Sequence, residues 1–339
     1  MQEYIWKFAK QVLSIDSPTG YCKNVTTFIE KEAHTLGYKT SRDAKGNVLI
    51  HVEGASAETI GLSAHVDTLG LMVRSCNNDG TLSFTNIGGP IIPTLDGEYC
   101  RIITRDQKVY TGTILSNCPA SHVYEKASTL PRTCENMHIR LDAIVKNKED
   151  IHELHIQNGD YIAIDPKTTI TDTGFIKSRF LDDKISVTCL FALLNIIKEK
   201  QIVPRHNLII IISTYEEVGH GSSHLPPEIK ELLAIDMGCI GDNLSCSEYD
   251  VSICAKDSSG PYDYNMVSKL IALAKENNLQ YAIDIYPFYG SDVSAALRGG
   301  NDIRGALIGP GVHASHGMER THYQAIENTV QLLLEYIQQ

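Results

Sequence analysis

Apolar residues follow two different periods along this chain, and the two alternate. A period of three to four residues, typical of amphipathic helices, covers residues 3–14, 24–36, 185–198, 262–278 and 323–337. Short apolar, β-branched runs predict strands at 46–52, 59–64, 207–214, 281–285 and 303–308. Residues 207–214 are apolar at almost every position, which predicts a strand buried on both faces. Helices alternating with such strands are typical of an α/β protein.

The pattern changes between residues 70 and 164. Short β-prone runs alternate there with turn clusters such as Asn78-Asp79-Gly80, and a helical period is confined to a short stretch at 149–155. We therefore predict an α/β domain formed by residues 1–69 and 165–339, with a small β domain inserted at 70–164. Within the α/β part, Leu232–Asp236 is predicted to be helical.

Composition narrows the classes of protein that fit. A formal net charge of -11 over 339 residues argues against a nucleic-acid or anionic-membrane partner. The N-terminus has no secretory pattern, and no stretch is apolar for long enough to cross a bilayer. Nine cysteines, an odd number without a CxxC pair, favour reduced thiols. We therefore expect a cytoplasmic protein.

Potential metal ligands occur at five places in the α/β part of the sequence. They are His65-Val66-Asp67, Asp182-Asp183, Glu216-Glu217, Asp236, and the group His313, His316 and His322. Each has an ordinary explanation when taken alone. Acidic residues are frequent as helix caps and turn formers, and a lone histidine after a strand is more often hydrogen-bonded than a ligand. Five such places near strand ends or loops are harder to attribute to chance, because sites form where strands of an open α/β sheet end.

This mixture of side chains suits a particular chemistry. Two neighbouring divalent ions need imidazole and carboxylate ligands, one of them bridging, and can together activate water and polarise a carbonyl group. A further carboxylate must then take and return the proton of the water. The adjacent pair could supply both, with Glu216 as the base and Glu217 as a ligand. Asp67, two residues after His65, is placed to support a ligand or the base.

The motifs together resemble the di-metal aminopeptidases of metallopeptidase family forty-two, the tetrahedral-particle, glutamyl-aminopeptidase-like enzymes. The resemblance lies in His65-Val66-Asp67 with Gly70, Leu181-Asp182-Asp183-Lys184, Glu216-Glu217-Val218-Gly219, Ile235-Asp236-Met237-Gly238, and a histidine before the last helix. Three segments depart from the family pattern: Thr68 replaces a glutamate, His220–Ser223 replaces an arginine-containing turn, and the late loop has additional histidines. These departures concern the substrate pocket.

The resemblance implies a role for each matching residue. Asp182 would bridge two divalent ions, with zinc or cobalt as the suitable metals. His65 and Asp236 would complete one site. Glu217 and a late histidine would complete the other, with His316 preferred, then His322, then His313. Glu216 would be the general base, while a role for Asp292 in Gly290-Ser291-Asp292 stays open between helix cap and functional residue.

The resemblance also implies a fold, an activity and an assembly. The fold would be a mixed central sheet flanked by helices, of the phosphorylase/hydrolase-like di-zinc peptidase type, with the inserted β-barrel-like domain used for assembly. The activity would be removal of N-terminal residues from short peptides, by a homo-oligomer built from dimers and as large as a dodecamer. The alternatives are a di-metal deacylase of N-acyl amino acids or modified dipeptides, a glycosidase using paired carboxylates, and an assembly protein without activity.

Overall fold

The computed structural model describes residues 1–339, which divide into two compact units. The first unit comprises residues Met1–Asp67 and Lys167–Gln339, and the second comprises Thr68–Pro166. The helices are α1 (Gln2–Leu13), α2 (Lys23–Thr35), α3 (Lys148–Glu153), α4 (Leu181–Lys200), α5 (Tyr264–Glu276), α6 (Asp292–Arg298) and α7 (Tyr323–Tyr336). None of them is long and apolar enough to cross a bilayer.

Nineteen strands connect these helices. In chain order they are β1 (Lys39–Arg42), β2 (Val48–Val52), β3 (Ser56–His65), β4 (Gly70–Cys76), β5 (Thr81–Ile87), β6 (Tyr99–Ile103), β7 (Val109–Ser116), β8 (Met137–Leu141), β9 (Tyr161–Ile164), β10 (Thr169–Ile170), β11 (Phe175–Ser178), β12 (His206–Ser213), β13 (Ile229–Ile235), β14 (Gly238–Cys239), β15 (Val251–Asp257), β16 (Gly260–Pro261), β17 (Tyr281–Ile285), β18 (Arg304–Val312) and β19 (Glu319–His322). Short 3₁₀ turns lie at Ile92–Leu95, Cys134–Asn136 and Glu216–Val218.

The first unit is built on a mixed sheet of ten strands. Its main order is β1-β2-β12-β3-β13-β18-β15-β16, with β14 beside β18 and β17 beside β15. The four adjacent strands β12, β3, β13 and β18 run parallel to one another. Their carboxyl ends therefore meet at one edge of the sheet, the edge at which α/β proteins place their sites.

Burial agrees with the position of β12 in the interior of the sheet, between β2 and β3. Its residues from Leu208 to Ser213 are all buried, as expected for a strand covered on both faces. Ile209 and Ile211 pack in a cluster with Val293 and Ala296 of α6, so the alternate residues of the strand face the opposite side of the sheet. The sheet is thus covered by helices on both faces.

Helix α4 is the central helix of this unit. It packs against α1, α7 and β3 and is buried over nearly its whole length, including Leu190 and Phe191. Its first turn is irregular, because Asp182 has a ψ of 101° and the peptide bond from Asp182 to Asp183 is cis. The buried helix therefore begins with two carboxylates in non-helical conformations.

The second unit is a closed barrel of six strands in the order β4-β5-β8-β7-β6-β9. Its interior contains apolar side chains such as Leu71, Phe84 and Ile102, each of which is almost fully buried. The prediction of a mixed α/β sheet flanked by helices, with an inserted small β-barrel, is confirmed.

Two sequence predictions in the α/β part are wrong. The stretch Leu232–Asp236, predicted to be helical, continues β13 as far as Ile235, and only Asp236 lies beyond it. A short apolar run fits a buried strand as well as a helix, and pairing with β3 and β18 decides between them. The late histidine segment is also less irregular than expected, because Glu319–His322 forms β19 against β11.

Candidate metal centre

The carboxyl ends of the four parallel strands gather most of the side chains that the sequence singles out. His65 ends β3, Glu216 and Glu217 follow β12, Asp236 follows β13, and His316 follows β18. Ser213 of β12 lies in register with His65, which places the glutamate pair beside the histidine. Asp182 reaches the same edge from the irregular start of α4.

The ring of His65 lies between two acceptors. Its Nδ1 is 3.0 Å from the carbonyl oxygen of Asp67, so that this nitrogen must carry the hydrogen and donate it. Its Nε2 is then the nitrogen that faces Oδ1 of Asp182 at 3.1 Å. A neutral imidazole and a carboxylate cannot satisfy each other at that distance without a cation between them. The cation can be a proton or a metal ion.

The potential ligands form two groups that share one residue. His65, Asp182 and Asp236 form the first group, and Asp182, Glu217 and His316 form the second. In each group the ligand atoms lie within 4.8 Å of one another. Asp182 belongs to both groups because Oδ1 faces His65, while Oδ2 lies 3.5 Å from Nε2 of His316.

Negative charge is crowded in these groups. Burial, reinforced by the charge of Asp182, raises the pKa of the Asp236 carboxyl to about 7 and the pKa of Glu217 well above its usual value. Burial raises the pKa of Glu216 as well. The nearby His65 lowers that pKa in part, while the negative charges of Asp236 and Asp292 raise it further. Only Asp182 shifts the other way: hydrogen bonds with His316 and His65 outweigh its burial and lower its pKa.

One buried atom in the second group has no hydrogen-bond partner. Oε1 of Glu217 has no hydrogen-bond partner, and the side chain is only 4% exposed, so that solvent has little access to it. Buried carboxylate oxygens are normally paired, since an unpaired one costs free energy. An unpaired oxygen, crowded negative charge and imidazole nitrogens facing carboxylates are all features that bound divalent cations would satisfy. The residues present therefore fit such ions.

Other buried carboxylates support the groups through the backbone. Asp67 accepts hydrogen bonds from the backbone nitrogens of Glu216, at 3.1 Å, and Glu217, at 3.3 Å. Asp183 accepts from the backbone nitrogen of His65 at 3.2 Å. Asp67 and Asp183 are both fully buried. Both carboxylates thus fix the positions of groups that carry potential ligands.

Sequence reasoning missed the role of Glu319. Its Oε2 accepts from the backbone nitrogen of Asp182 and its Oε1 accepts from that of His316, at 3.0 and 3.1 Å. Burial and the charge of Asp182 raise its pKa to about 8. The spacing of three residues between His316 and Glu319 was available in the sequence, but it does not reveal that the glutamate also holds a residue of α4.

The other two late histidines lie outside both groups. His313 is exposed and pairs with Arg320 in an isolated bridge. His322 precedes α7, where its Nδ1 accepts from the backbone nitrogen of Gln324 at 3.1 Å and its Nε2 lies 2.9 Å from the carbonyl oxygen of Thr173. His322 therefore caps a helix.

A cavity of about 220 Å³ opens onto the two groups. Larger cavities lie elsewhere, but this one is lined by Glu216 and by four of the candidate ligands, namely Asp182, Glu217, Asp236 and His316. Its remaining wall includes Phe288, which is 97% exposed, together with Tyr289 and Arg298. The sequence offered no signal for Phe288 or Tyr289, because both lie in a turn between β17 and α6.

Comparison with known proteins gives a consistent result. A model of the M42 glutamyl aminopeptidase family matches residues 46–332. The chain is 45% identical over 331 residues to the Bacillus subtilis protein named "Putative aminopeptidase YhfE", covering 97% of this chain and 96% of the relative.

Solved structures with the same fold include an archaeal aminopeptidase and a second peptidase. Aminopeptidase APDkam598 from Desulfurococcus kamchatkensis has a TM-score of 0.88 at 22% identity, over 99% of this chain and 94% of that one. The Pyrococcus horikoshii TET1 peptidase, described as assembling into a tetrahedron or a large octahedral shell, has a TM-score of 0.85 at 21% identity, over 98% and 99% of the two chains. At these identities the similarity establishes the fold.

The crowded charge predicts that Glu217→Gln stabilises the protein when metal is removed. The amide keeps the shape of the side chain and removes one buried charge, so we expect a gain of about 1–3 kcal/mol, measured as a higher thermal midpoint in chelator. The raised pKa sets the pH dependence. Below the ordinary value of 4.5 the carboxyl is neutral in both folded and unfolded states, and its charge destabilises the fold increasingly as pH rises above that value.

The gain should therefore be larger at pH 8 than at pH 5. Glu228→Gln is the matched control, because that glutamate is exposed and its replacement should leave the midpoint unchanged. A midpoint of Glu217→Gln below that of the unchanged protein in chelator would contradict the interpretation.

Proposed function

The chain belongs to the M42 glutamyl aminopeptidase family and is a peptidase hydrolase, and from that premise we propose that it is a di-metal aminopeptidase that removes N-terminal residues from short peptides. The observation that carries the proposal is the sharing of Asp182 between two groups of ligand atoms at a cavity that Glu216 also lines. The family implies divalent metal ions. Their number and the roles of individual residues belong to the proposal.

In this proposal each group holds one ion. His65 and Asp236 hold the first, Glu217 and His316 hold the second, and Asp182 bridges the two. The mixture of imidazole and carboxylate ligands suits zinc or cobalt. Support comes from the unpaired Oε1 of Glu217 and from the hydrogen on Nδ1 of His65, which leaves Nε2 as a ligand.

Glu216 is proposed as the general base. It belongs to neither group, yet its Oε2 lies 3.7 Å from Nε2 of His65 and its side chain lines the cavity. The two cations, when bound, would lower the pKa of water and polarise the scissile carbonyl. Glu216 would accept the proton of the attacking water and return it to the leaving amine. Asp67 would hold the backbone of the base through its hydrogen bond to the nitrogen of Glu216.

The position of Arg298 on the cavity wall leads to a hypothesis about substrate preference. It ends α6 on the wall of the cavity, with Nη2 3.5 Å from the carbonyl oxygen of Gly219. We propose that its guanidinium pairs with a substrate carboxylate, which a guanidinium binds in a bidentate manner. That carboxylate belongs either to an acidic N-terminal side chain or to the C-terminus of a dipeptide.

The other hypotheses drawn from the sequence concern alternative activities, the assembly and the cellular location. The deacylase, glycosidase and non-catalytic hypotheses receive no support from the family match or from the relatives. We propose a homo-oligomer with the barrel unit as the assembly domain, since the TET1 peptidase is described as assembling into a tetrahedron or a large octahedral shell. The nine free cysteines are compatible with the cytoplasmic location predicted from the sequence.

Glu216→Gln should abolish most turnover and leave the metal content unchanged. The amide cannot accept the proton, so we expect kcat on an aminoacyl-anilide to fall by about 10²–10⁴-fold. Metal content is measured by plasma mass spectrometry after dialysis. Glu228→Gln serves as the control for activity. A Glu216→Gln enzyme with kcat close to that of the unchanged protein would remove Glu216 from the mechanism.

Asp182→Ala should release both ions, whereas Asp236→Ala should release only one. The reason is that Asp182 belongs to both groups and Asp236 to the first alone. The measurement is the molar ratio of metal to protein after dialysis against metal-free buffer, with folding checked by circular dichroism. Retention of two ions by a folded Asp182→Ala variant would refute the bridging role.

Arg298→Met should raise KM for carboxylate-bearing substrates and leave other substrates unaffected. Loss of a hydrogen-bonded charge pair corresponds to about 10–100-fold in KM. Glutamyl-anilide against leucyl-anilide tests the N-terminal side chain, and leucyl-glycine against its C-terminal amide tests the terminal carboxylate. Equal KM changes across all four substrates would refute the role of Arg298, while Arg298→Lys should preserve part of the preference.

A further inference from the structure

The loop that carries Glu216 and Glu217 is closed at its base. It leaves β12 after Ser213 and returns to the same place at Ser222. Asp67 holds the beginning of the turn through the backbone nitrogens of the two glutamates. The return of the loop is held by other residues, to which the proposed mechanism gives no role.

Asp292 joins the two ends of this loop. Its Oδ2 accepts from Oγ of Ser213 and its Oδ1 accepts from the backbone nitrogen of Ser222, both at 2.8 Å. The residue is 3% exposed, and each of its oxygens has a partner within the protein. Asp292 is therefore not free to bind substrate, although it contacts both ends of the loop that carries the glutamate pair.

Asn47 makes a second bridge across the same ends. Its Oδ1 accepts from the backbone nitrogen of Thr214 at 3.0 Å, and its Nδ2 donates to the carbonyl oxygen of Gly221 at 3.2 Å. The peptide bond between Gly221 and Ser222 is thus held at its carbonyl by Asn47 and at its nitrogen by Asp292. Nζ of Lys45 also donates to the carbonyl oxygen of Gly221, at 2.8 Å, so side chains from distant parts of the chain together close this loop.

The closure is tight enough to exclude a side chain at Gly221. A Cβ there would lie 2.5 Å from Oδ1 of Asp292 and 3.1 Å from the backbone nitrogen of Glu216. The returning loop therefore packs directly against the residue that begins the turn. A shift of Asp292 would be transmitted to Glu216 through one layer of atoms.

The position of Asp292 is itself fixed by its neighbours at the start of α6. The backbone nitrogen of Ser291 donates to Oγ of Ser294 at 2.6 Å, and Oγ of Ser294 donates to the fully buried Asp257 at 3.2 Å. Tyr262 donates to the same oxygen of Asp257 at 2.8 Å. The first turn of α6 is thus anchored to β15, independently of the glutamate loop.

We propose that Asp292 is a positioning residue for the reaction, which holds the loop between Ser213 and Ser222 so that Glu216 points at the reacting water. The inference rests on the proposed role of Glu216 as the base. The proposed role of Asp292 is to fix the loop through its hydrogen bonds. Its charge also acts on Glu216, and the Asp292→Asn variant removes that charge while keeping hydrogen-bonding groups in place. Misplacing a catalytic group by about 1 Å can cost on the order of 10²-fold in rate.

Substitution of Asp292 tests geometry against charge. Asp292→Ala should lower kcat by about 10–100-fold, with KM within about 2-fold and the metal content unchanged. Asp292→Asn should keep kcat within about 3-fold, because its oxygen can accept from Ser222 and its amide can donate to Oγ of Ser213. Asp302→Ala, at an exposed aspartate, is the matched control and should not change kcat.

A double-mutant cycle tests whether the effect passes through Glu216. In the Glu216→Gln background, Asp292→Ala should change the residual rate by less than about 2-fold, since a base that is absent cannot be misplaced. If Asp292→Ala lowered the residual rate of the Glu216→Gln enzyme by as much as it lowers the rate of the unchanged enzyme, the proposal would be overturned. Loss of metal in Asp292→Ala would also overturn it, as would an Asp292→Asn variant as impaired as Asp292→Ala.

Should Asp292→Ala not fold, Ser213→Ala removes one of the two contacts of Asp292. A fall in kcat would then support the role, and an unchanged kcat would overturn it.

Two results separate the inference from the function on which it rests. Full activity of Glu216→Gln would refute the proposed base. Loss of activity in Glu216→Gln together with full activity in Asp292→Ala would refute the positioning role alone.

Discussion

Repulsion between carboxylates held out of water is the constraint on which the carboxyl edge of the sheet depends. Asp182, Glu217 and Asp236 are brought together where little solvent can screen them, and burial raises the pKa of two of the three. Such a cluster is unstable unless positive charge is supplied. Divalent cations would supply that charge, with the neutral imidazoles of His65 and His316 as further ligands.

Several buried carboxylates support the candidate site through backbone hydrogen bonds. Asp67, Asp183, Glu319 and Asp292 each accept hydrogen bonds from backbone nitrogens of segments that carry the candidate site. Oε1 of Glu217 and Oδ1 of Asp183 are both buried without a hydrogen-bond partner. Backbone donors fix the supporting carboxylates in place, and among the candidate ligands the unpaired oxygen of Glu217 stays available to a cation. The arrangement thus relies on acidic side chains both as candidate ligands and as their supports.

Prediction from sequence succeeded where local pattern and tertiary environment agree. The apolar β12 run fits an interior strand of a sheet covered on both faces, and the glutamate pair follows where that strand ends, at the carboxyl edge of the sheet. It failed at Leu232–Asp236, where a short apolar run is compatible with helix and strand alike. The positions of Phe288, Tyr289 and Arg298 on the cavity wall could not be derived from any spacing, because their segments meet the cavity only after the sheet has formed.

The sequence by itself determined the fold class, the inserted β domain and the types of residue offered to the candidate metal centre, because these depend on hydrophobic period and on local motifs. Only the tertiary structure placed His316, and neither His313 nor His322, in a group of potential ligands, gave Asp182 a place in both groups, and gave Asp292 and Glu319 their supporting contacts. Those features depend on strand register and on helix placement, which join residues more than a hundred positions apart such as His65 and Asp182. Such long-range pairing is set by the packing of whole elements, and no local pattern encodes it.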